Sequence, residues 1–220
     1  NSSLRENRAA MNLIDIERSI VNPVNRWLYG VVQNPLEKML SIDTINEAYR
    51  ATDFGTSSGN IFTACLDTLN IDIRIDDEDM AKIPKDGPLV VVANHPFGGL
   101  EGIIMGDIVS RVRPDVRLLG NYLLLNVPEL RDIVIPVDPF GAKSSSAANI
   151  FGLKKAIKWL KEGGVLGTFP AGEVSHFRFK DAGVTDPPWS RHIAAVVRHS
   201  QATVIPLFFE GRNSSIFQIA

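Results

Sequence analysis

Residues 89–104 read LVVVANHPFGGLEGII, so that Asn94 and His95 close one apolar run and Glu101 opens the next, with a Pro-Phe-Gly-Gly loop between them. An imidazole and a carboxylate six residues apart across a pliable turn have the makings of a general base and its orienting partner. The loop must double back, which brings the Glu101 carboxylate within reach of one ring nitrogen of His95 and leaves the other free. The acid then sets the tautomer and stabilises the imidazolium that forms when a proton is taken. No serine stands in a G-x-S-x-G nucleophile elbow. The proton would then come from a substrate hydroxyl, activated for direct attack on an activated acyl group. A plainer reading has His95 capping a turn and Glu101 favouring a helix N-terminus through the dipole. On the pair alone both readings stand.

The elements that must position these residues follow from periodicity. Leu13, Ile16, Ile20, Val24, Trp27 and Val31 recur every three or four residues, which predicts two or three short helices from about residue 10 to residue 50. Pro23 and Pro35 punctuate them. DFGTSSGN at 53–60 is a turn-rich break, after which IFTACLDTL resumes a helix. Beyond residue 70, IDIRI alternates as a half-exposed strand would, DDEDMAKI reads as a short helix with an acidic start, and PKDGP reads as a turn. From there strand-like runs (LVVVA, VRLLG, VIPVD, VLGTFP, VIPLFFEG) alternate with helical ones (GIIMGDIVSRV, YLLLNVPELRDI, SAANIFGLKKAIKWLKEG, RHIAAVVRHS). This predicts an α/β domain over 70–220, a mostly parallel central sheet with helices on both faces, preceded by an N-terminal helical segment over 1–69. Ligands of such sheets bind beyond the carboxyl ends of the strands. Three loops become candidates: NHPFGGLE, DPFGAKS and FPAGEVSHFRFK. The closing FFEGRNSSIFQIA stops in mid-pattern, the expectation being that this is part of a longer protein.

Composition narrows the function classes. A net charge of −2 over 220 residues, with no basic tract, argues against a nucleic-acid partner. Cys65 is the single cysteine, so neither a disulfide framework nor a cysteine zinc site is expected, and its apolar helical setting suits a small core residue. The longest apolar runs fall far short of the roughly 20 residues a spanning helix needs. No signal peptide is recognisable at the start.

Taken together, NHPFGGLEG, FPAGEVS and VIPLFFEG resemble the four-block signature of the glycerolipid acyltransferases, of the lysophosphatidic acid acyltransferase type, over about residues 80–212. That family's first block is Asn-His, four residues, then Asp; its third is Phe-Pro-Glu-Gly-Thr-Arg-Ser. The resemblance implies His95 as catalytic base and Glu101 as its acid partner. It implies substrate-binding roles for Asn94, Gly98, Gly99, Asp138, Phe169, Pro170, Gly172, Glu173 and Ser175. The departures are as telling as the matches. The acid is Glu, five residues and not four separate it from His95, and Pro139 and Val174 stand where the family has arginines. Those arginines are associated with an acceptor phosphate, which arginine suits geometrically. Lys143, Arg178 and Lys180 would compensate, or would simply form a solvated surface. Glu173 would meet a cationic head group, or favour a helix start. The longer spacing resembles the hemolysin-like, lyso-ornithine-lipid and aminolipid branch of the family.

The implied reaction moves a fatty acyl group from a thioester, on acyl carrier protein or coenzyme A, to the hydroxyl of an amino-acid-containing lyso-lipid. Backbone N–H groups of PFGG or PAGE would stabilise the oxyanion. No bound cofactor or metal is expected. The resemblance further implies peripheral attachment at the cytoplasmic face of the inner membrane, with Trp27, Tyr29 and YLLLNVPEL as interfacial candidates. A conventional lysophospholipid or 1-acylglycerol-3-phosphate acyltransferase and a catalytically silent lipid-binding module are the alternatives.

Overall fold

The computed structural model describes residues 60–138 and 145–213. The chain divides into two units, Asn1–Ile71 and Asp72–Ala220. The helices expected between residues 10 and 50, with Trp27 and Tyr29, lie outside the described residues. Helix α1 (Ile61–Thr68) is the described element of the first unit. Asn60 starts it, its side chain accepting the Thr63 N–H at 3.0 Å, as an N-cap residue should. Cys65 is only partly buried there.

The second unit opens with a four-residue helix, α2 (Asp77–Met80). Its centre is a five-stranded sheet: β1 (Leu89–Ala93), β2 (Val116–Asn121), β3 (Val134–Val137), β4 (Val165–Thr168) and β7 (Thr203–Leu207). All the pairings are parallel, in the order β3-β2-β4-β1-β7. A short antiparallel hairpin, β5 (His176–Arg178) with β6 (Gly183–Thr185), stands apart from it. Strand placement follows the prolines. Pro136 and Pro206 cannot donate to two neighbours, and the strands that carry them take the two edges, while proline-free β1 and β4 lie buried inside. Consequently β7, read from sequence as a buried strand, is partly exposed.

Helices cover both faces. Helices α4 (Ser145–Lys161) and α5 (Arg191–Ser200) pack on one face, where Ala156, Leu160, Ile193 and Val196 meet Val90, Val92, Ile135 and Leu166. On the other face α3 (Gly99–Ser110) lies against β2 and β4, with Met105 and Leu118 closed over Gly167. Adjacent residues of a strand point to opposite faces, so Leu166 and Gly167 each meet a different helix layer. The chain therefore leaves β1 for one face and leaves β4, its neighbour, for the other. Such a divergence opens a crevice at the carboxyl ends of the two strands.

Three expectations need correction. IDIRI keeps its alternation of exposure from Ile71 to Ile75 but pairs with no strand among the described residues, because periodicity specifies faces and not a partner. YLLLNVPEL is not one helix but two 3-10 turns, Tyr122–Asn126 and Pro128–Leu130. Val127 between them is extended, as a residue before proline tends to be. The β5–β6 hairpin lies inside what reads as a loop, its strands being too short for a period to show. Among the described residues no helix is long and apolar enough to cross a membrane.

Opposite the crevice, Arg113 ties the amino ends of the strands together. Its buried guanidinium donates to the carbonyl oxygens of Gly87 at 3.1 Å and Gly163 at 2.6 Å, and makes two bonds to Asp115 at 2.8 and 2.7 Å. The hydrogen bond from Arg113 is the main cause holding the Asp115 carboxyl below its ordinary range. A depressed native value means stability that is present above about pH 4 and is lost as pH falls through it. Replacing Arg113 by Met strands these acceptors and should cost about 2–4 kcal/mol at neutral pH. Urea unfolding of both proteins at pH 7 and at pH 3 checks this: the gap between them should shrink at the lower pH.

Candidate active site

The site is built where β1 stops. Pro96 has no N–H and cannot extend the ladder, and its ring favours an extended His95 before it. The turn is completed by Gly98, at φ 102° and ψ −122°, a region that a side chain would strain. Helix α3 starts at Gly99, which puts Glu101 at the third helical position. Helical side chains tilt toward the N-terminus, so the Glu101 carboxylate returns over the loop that precedes it. It accepts the Phe97 N–H through Oε1, a variant of the reach-back of a capping box.

That carboxylate has no exposed surface. His95 Nδ1 lies 3.5 Å from Glu101 Oε1, and both Nδ1 and Oε2 are buried with no hydrogen-bond partner. Two orphan atoms, one able to carry a proton and one able to accept it, satisfy each other when Nδ1 is protonated and the carboxylate turns slightly. The ring retains 17 % exposure, and with Nδ1 buried the exposed edge is the one bearing Nε2. From the side, Phe169 stacks on the imidazole with centroids 4.3 Å apart and planes 19° from parallel. The arrangement presents an imidazole fixed by stacking, with a buried carboxylate behind Nδ1 and its second nitrogen facing outward.

Most of the other residues singled out in the sequence serve to hold this loop. Asn94 exchanges two bonds of 2.8 Å with the backbone of Phe209, prolonging the β1–β7 ladder through its side chain. Ser175 is buried; its N–H donates to the His95 carbonyl at 2.8 Å and its hydroxyl donates to Asp186. Pro170 is buried, and its carbonyl accepts the Ser190 N–H at 2.8 Å. The N–H of Gly172 closes a turn onto the Phe169 carbonyl at 3.0 Å, so it is not free for an oxyanion. In this structure the hydrogen bonds of Asn94, Pro170, Gly172 and Ser175 hold the loop in place.

The remaining ones scatter. Gly99 and Glu173 are exposed near the crevice. Asp138 follows β3 at the sheet edge, three strands from β1 and so roughly 14 Å away by ladder spacing, its backbone clasped by the Asn149 side chain. Arg178 donates to Asp181 at 2.7 Å and holds that carboxyl below its ordinary range, so its charge is engaged within the hairpin. Lys143 lies outside the described residues, as does Pro139.

Two supports were not legible as motifs. Asp186 accepts the His95 N–H at 3.1 Å, the Ser175 hydroxyl and the Trp189 indole N–H at 2.9 Å. Its only sequence signal is an acid before Pro187-Pro188, in a segment that must be rigid. The second is the turn after β7: Gly211, at φ 118°, lies so close to Phe97 that a Cβ there would stand 2.7 Å from the ring. Both ends of the His95 peptide are therefore tied to the strand-end loop of β4, and the next residues are packed under the loop of β7.

Comparison with known proteins adds the decisive observation: the sequence pattern of a family described as acyltransferase matches residues 18–220. This chain belongs to the acyltransferase family. Two relatives of this acyltransferase are the lyso-glycine lipid O-acyltransferases of Phocaeicola vulgatus and Bacteroides thetaiotaomicron. The first is 27% identical over 210 residues, covering 93% of this chain and 71% of the relative. The second is 27% identical over 209 residues, covering 93% and 73%. The acyltransferase function inferred from the strand-end motifs agrees with both findings.

Removing Asp186 should test its hold on His95. In Asp186→Ala two N–H donors and a hydroxyl lose their acceptor, an expected loss of about 1–3 kcal/mol in stability. Acyl transfer measured well below the melting temperature should fall much further than in Ser175→Ala, which removes a single donor. Equal effects of the two substitutions would show that Asp186 has no special hold.

Proposed function

We propose that this acyltransferase moves a fatty acyl group from a thioester to the hydroxyl of an amino-acid-containing lyso-lipid, glycine-type acceptors first, with His95 as general base. The observation that carries the reading is the buried Glu101 carboxylate behind Nδ1 of a histidine whose other nitrogen faces the crevice. The glycine preference rests on the names of the two relatives. It also agrees with Pro139 and Val174 standing where a phosphate-binding arginine would be, and with Arg178 engaged by Asp181.

The acceptor hydroxyl gives its proton to Nε2 as its oxygen attacks the thioester carbonyl carbon. Glu101 steadies the resulting imidazolium. The tetrahedral oxyanion needs donors. The N–H groups of Phe97, His95 and Gly172 are engaged, whereas those of Gly99 and Leu100 open α3, which has no side-chain cap. We assign them the oxyanion. Collapse breaks the carbon–sulfur bond, the thiolate takes the proton from His95, and ester and free thiol leave. The donor is acyl carrier protein or coenzyme A, and no bound cofactor is invoked. Because the substrates are amphiphiles, we further propose peripheral attachment at the cytoplasmic face of the inner membrane.

Purified protein supplied with an acyl thioester and, in parallel, lyso-glycine lipid, lyso-ornithine lipid and lysophosphatidic acid tests the reading by thiol release. The glycine-type acceptor should be acylated fastest, and preference for lysophosphatidic acid would overturn the assignment. His95→Ala and Glu101→Gln should each lower turnover on the order of a hundredfold or more with the fold intact. Undiminished turnover in His95→Ala would remove it from the mechanism.

A further inference from the structure

The large apolar side chains left in solvent are not spread evenly. Of the eleven among the described residues, seven follow the carboxyl ends of the sheet strands: residues 122–124 after β2, Phe177 and Phe179 on the hairpin after β4, Trp189 beyond that hairpin, and Phe208 after β7. His95 follows β1, between β4 and β7. The sheet is wholly parallel, so all these positions share one rim with the imidazole. Phe179 is 92 % exposed and Phe208 78 %, values rare for phenylalanine unless something covers it. Phe177 and Phe179 meet edge to face with centroids 5.3 Å apart, so the tip presents a joined pair of rings.

The hairpin is also fastened to the site. Its first strand begins one residue after Ser175, which donates to the His95 carbonyl. Its second strand ends one residue before Asp186, which accepts the His95 N–H. Whatever seats the tip therefore sets the height of His95 above it.

We infer that this carboxyl rim is the surface the protein lays on a lipid bilayer, with the Phe177–Phe179 tip entering the interface and His95 held at head-group depth. The inference rests on the lyso-lipid acceptor proposed above, since an amphiphile whose reacting hydroxyl lies at the bilayer surface must approach from this side. Charge agrees with the burial of rings and not with an anionic patch. Between residues 173 and 191 Arg178, Lys180 and Arg191 are matched by Glu173, Asp181 and Asp186. Zwitterionic vesicles should suffice, and added salt should matter little.

Co-sedimentation of the full chain with extruded phosphatidylcholine vesicles tests this. Phe177→Ser with Phe179→Ser should reduce partitioning roughly tenfold or more, whereas Val204→Ser, exposed on β7 away from the rim, should leave it within about twofold. The double variant should keep its transfer rate to a short-chain, monomeric acceptor and lose it on an acceptor embedded in vesicles. Unchanged partitioning of the double variant, no partitioning by the wild type, or loss of transfer to the monomeric acceptor in a folded variant would each overturn the inference. His95→Ala should bind vesicles as the wild type does, so a failure of the proposed chemistry stays separable from a failure of this surface.

Discussion

A carboxylate with no exposed surface is the constraint around which the second unit is arranged. Glu101 is removed from water at the start of α3, where the helix dipole, the Phe97 N–H and the His95 ring are its compensation. A buried charge of this kind is costly unless its surroundings are fixed. Much of the local structure supplies that fixity: the Pro96 stop, the positive φ of Gly98, the Phe169 stack and the wedge of Gly211 against Phe97.

The polar groups near the crevice divide their work accordingly. Asn94, Ser175, Asp186 and Trp189 spend their hydrogen bonds on one another and on backbone, and the reading proposed above gives the ligand the outward imidazole edge and the first N–H groups of α3. Motif positions in such a fold are then of two kinds, those that touch substrate and those that hold the former in place. A residue pattern does not distinguish them, since both tolerate few substitutions. The buried or exposed state of each hydroxyl and amide does.

The departures from the glycerolipid pattern also have a physical reading. Glutamate at 101 is longer by a methylene, and the loop before it is longer by a residue, yet the carboxylate still arrives 3.5 Å from Nδ1. Spacing and side-chain length have changed together, which keeps the pair. With Arg178 held by Asp181, its guanidinium is not released toward a phosphate.

By itself the sequence determined the elements whose signals are local. Apolar strand runs bounded by proline and glycine, a helix opening near Glu101, and a carboxylate within reach of His95 follow from chain stiffness and side-chain reach within a dozen residues, whereas the structure starts that helix at Gly99 and sets Glu101 beside the ring. The resemblance in the three strand-end blocks was enough for the acyltransferase family. Tertiary structure alone decided what depends on partners distant in the chain. The grip of Asp186 on His95 and the separation of Asp138 from the crevice are set by strand order, as is the lack of a partner for IDIRI among the described residues. Strand order arises from which faces the helices bury together, a property of the whole core that no window of sequence contains.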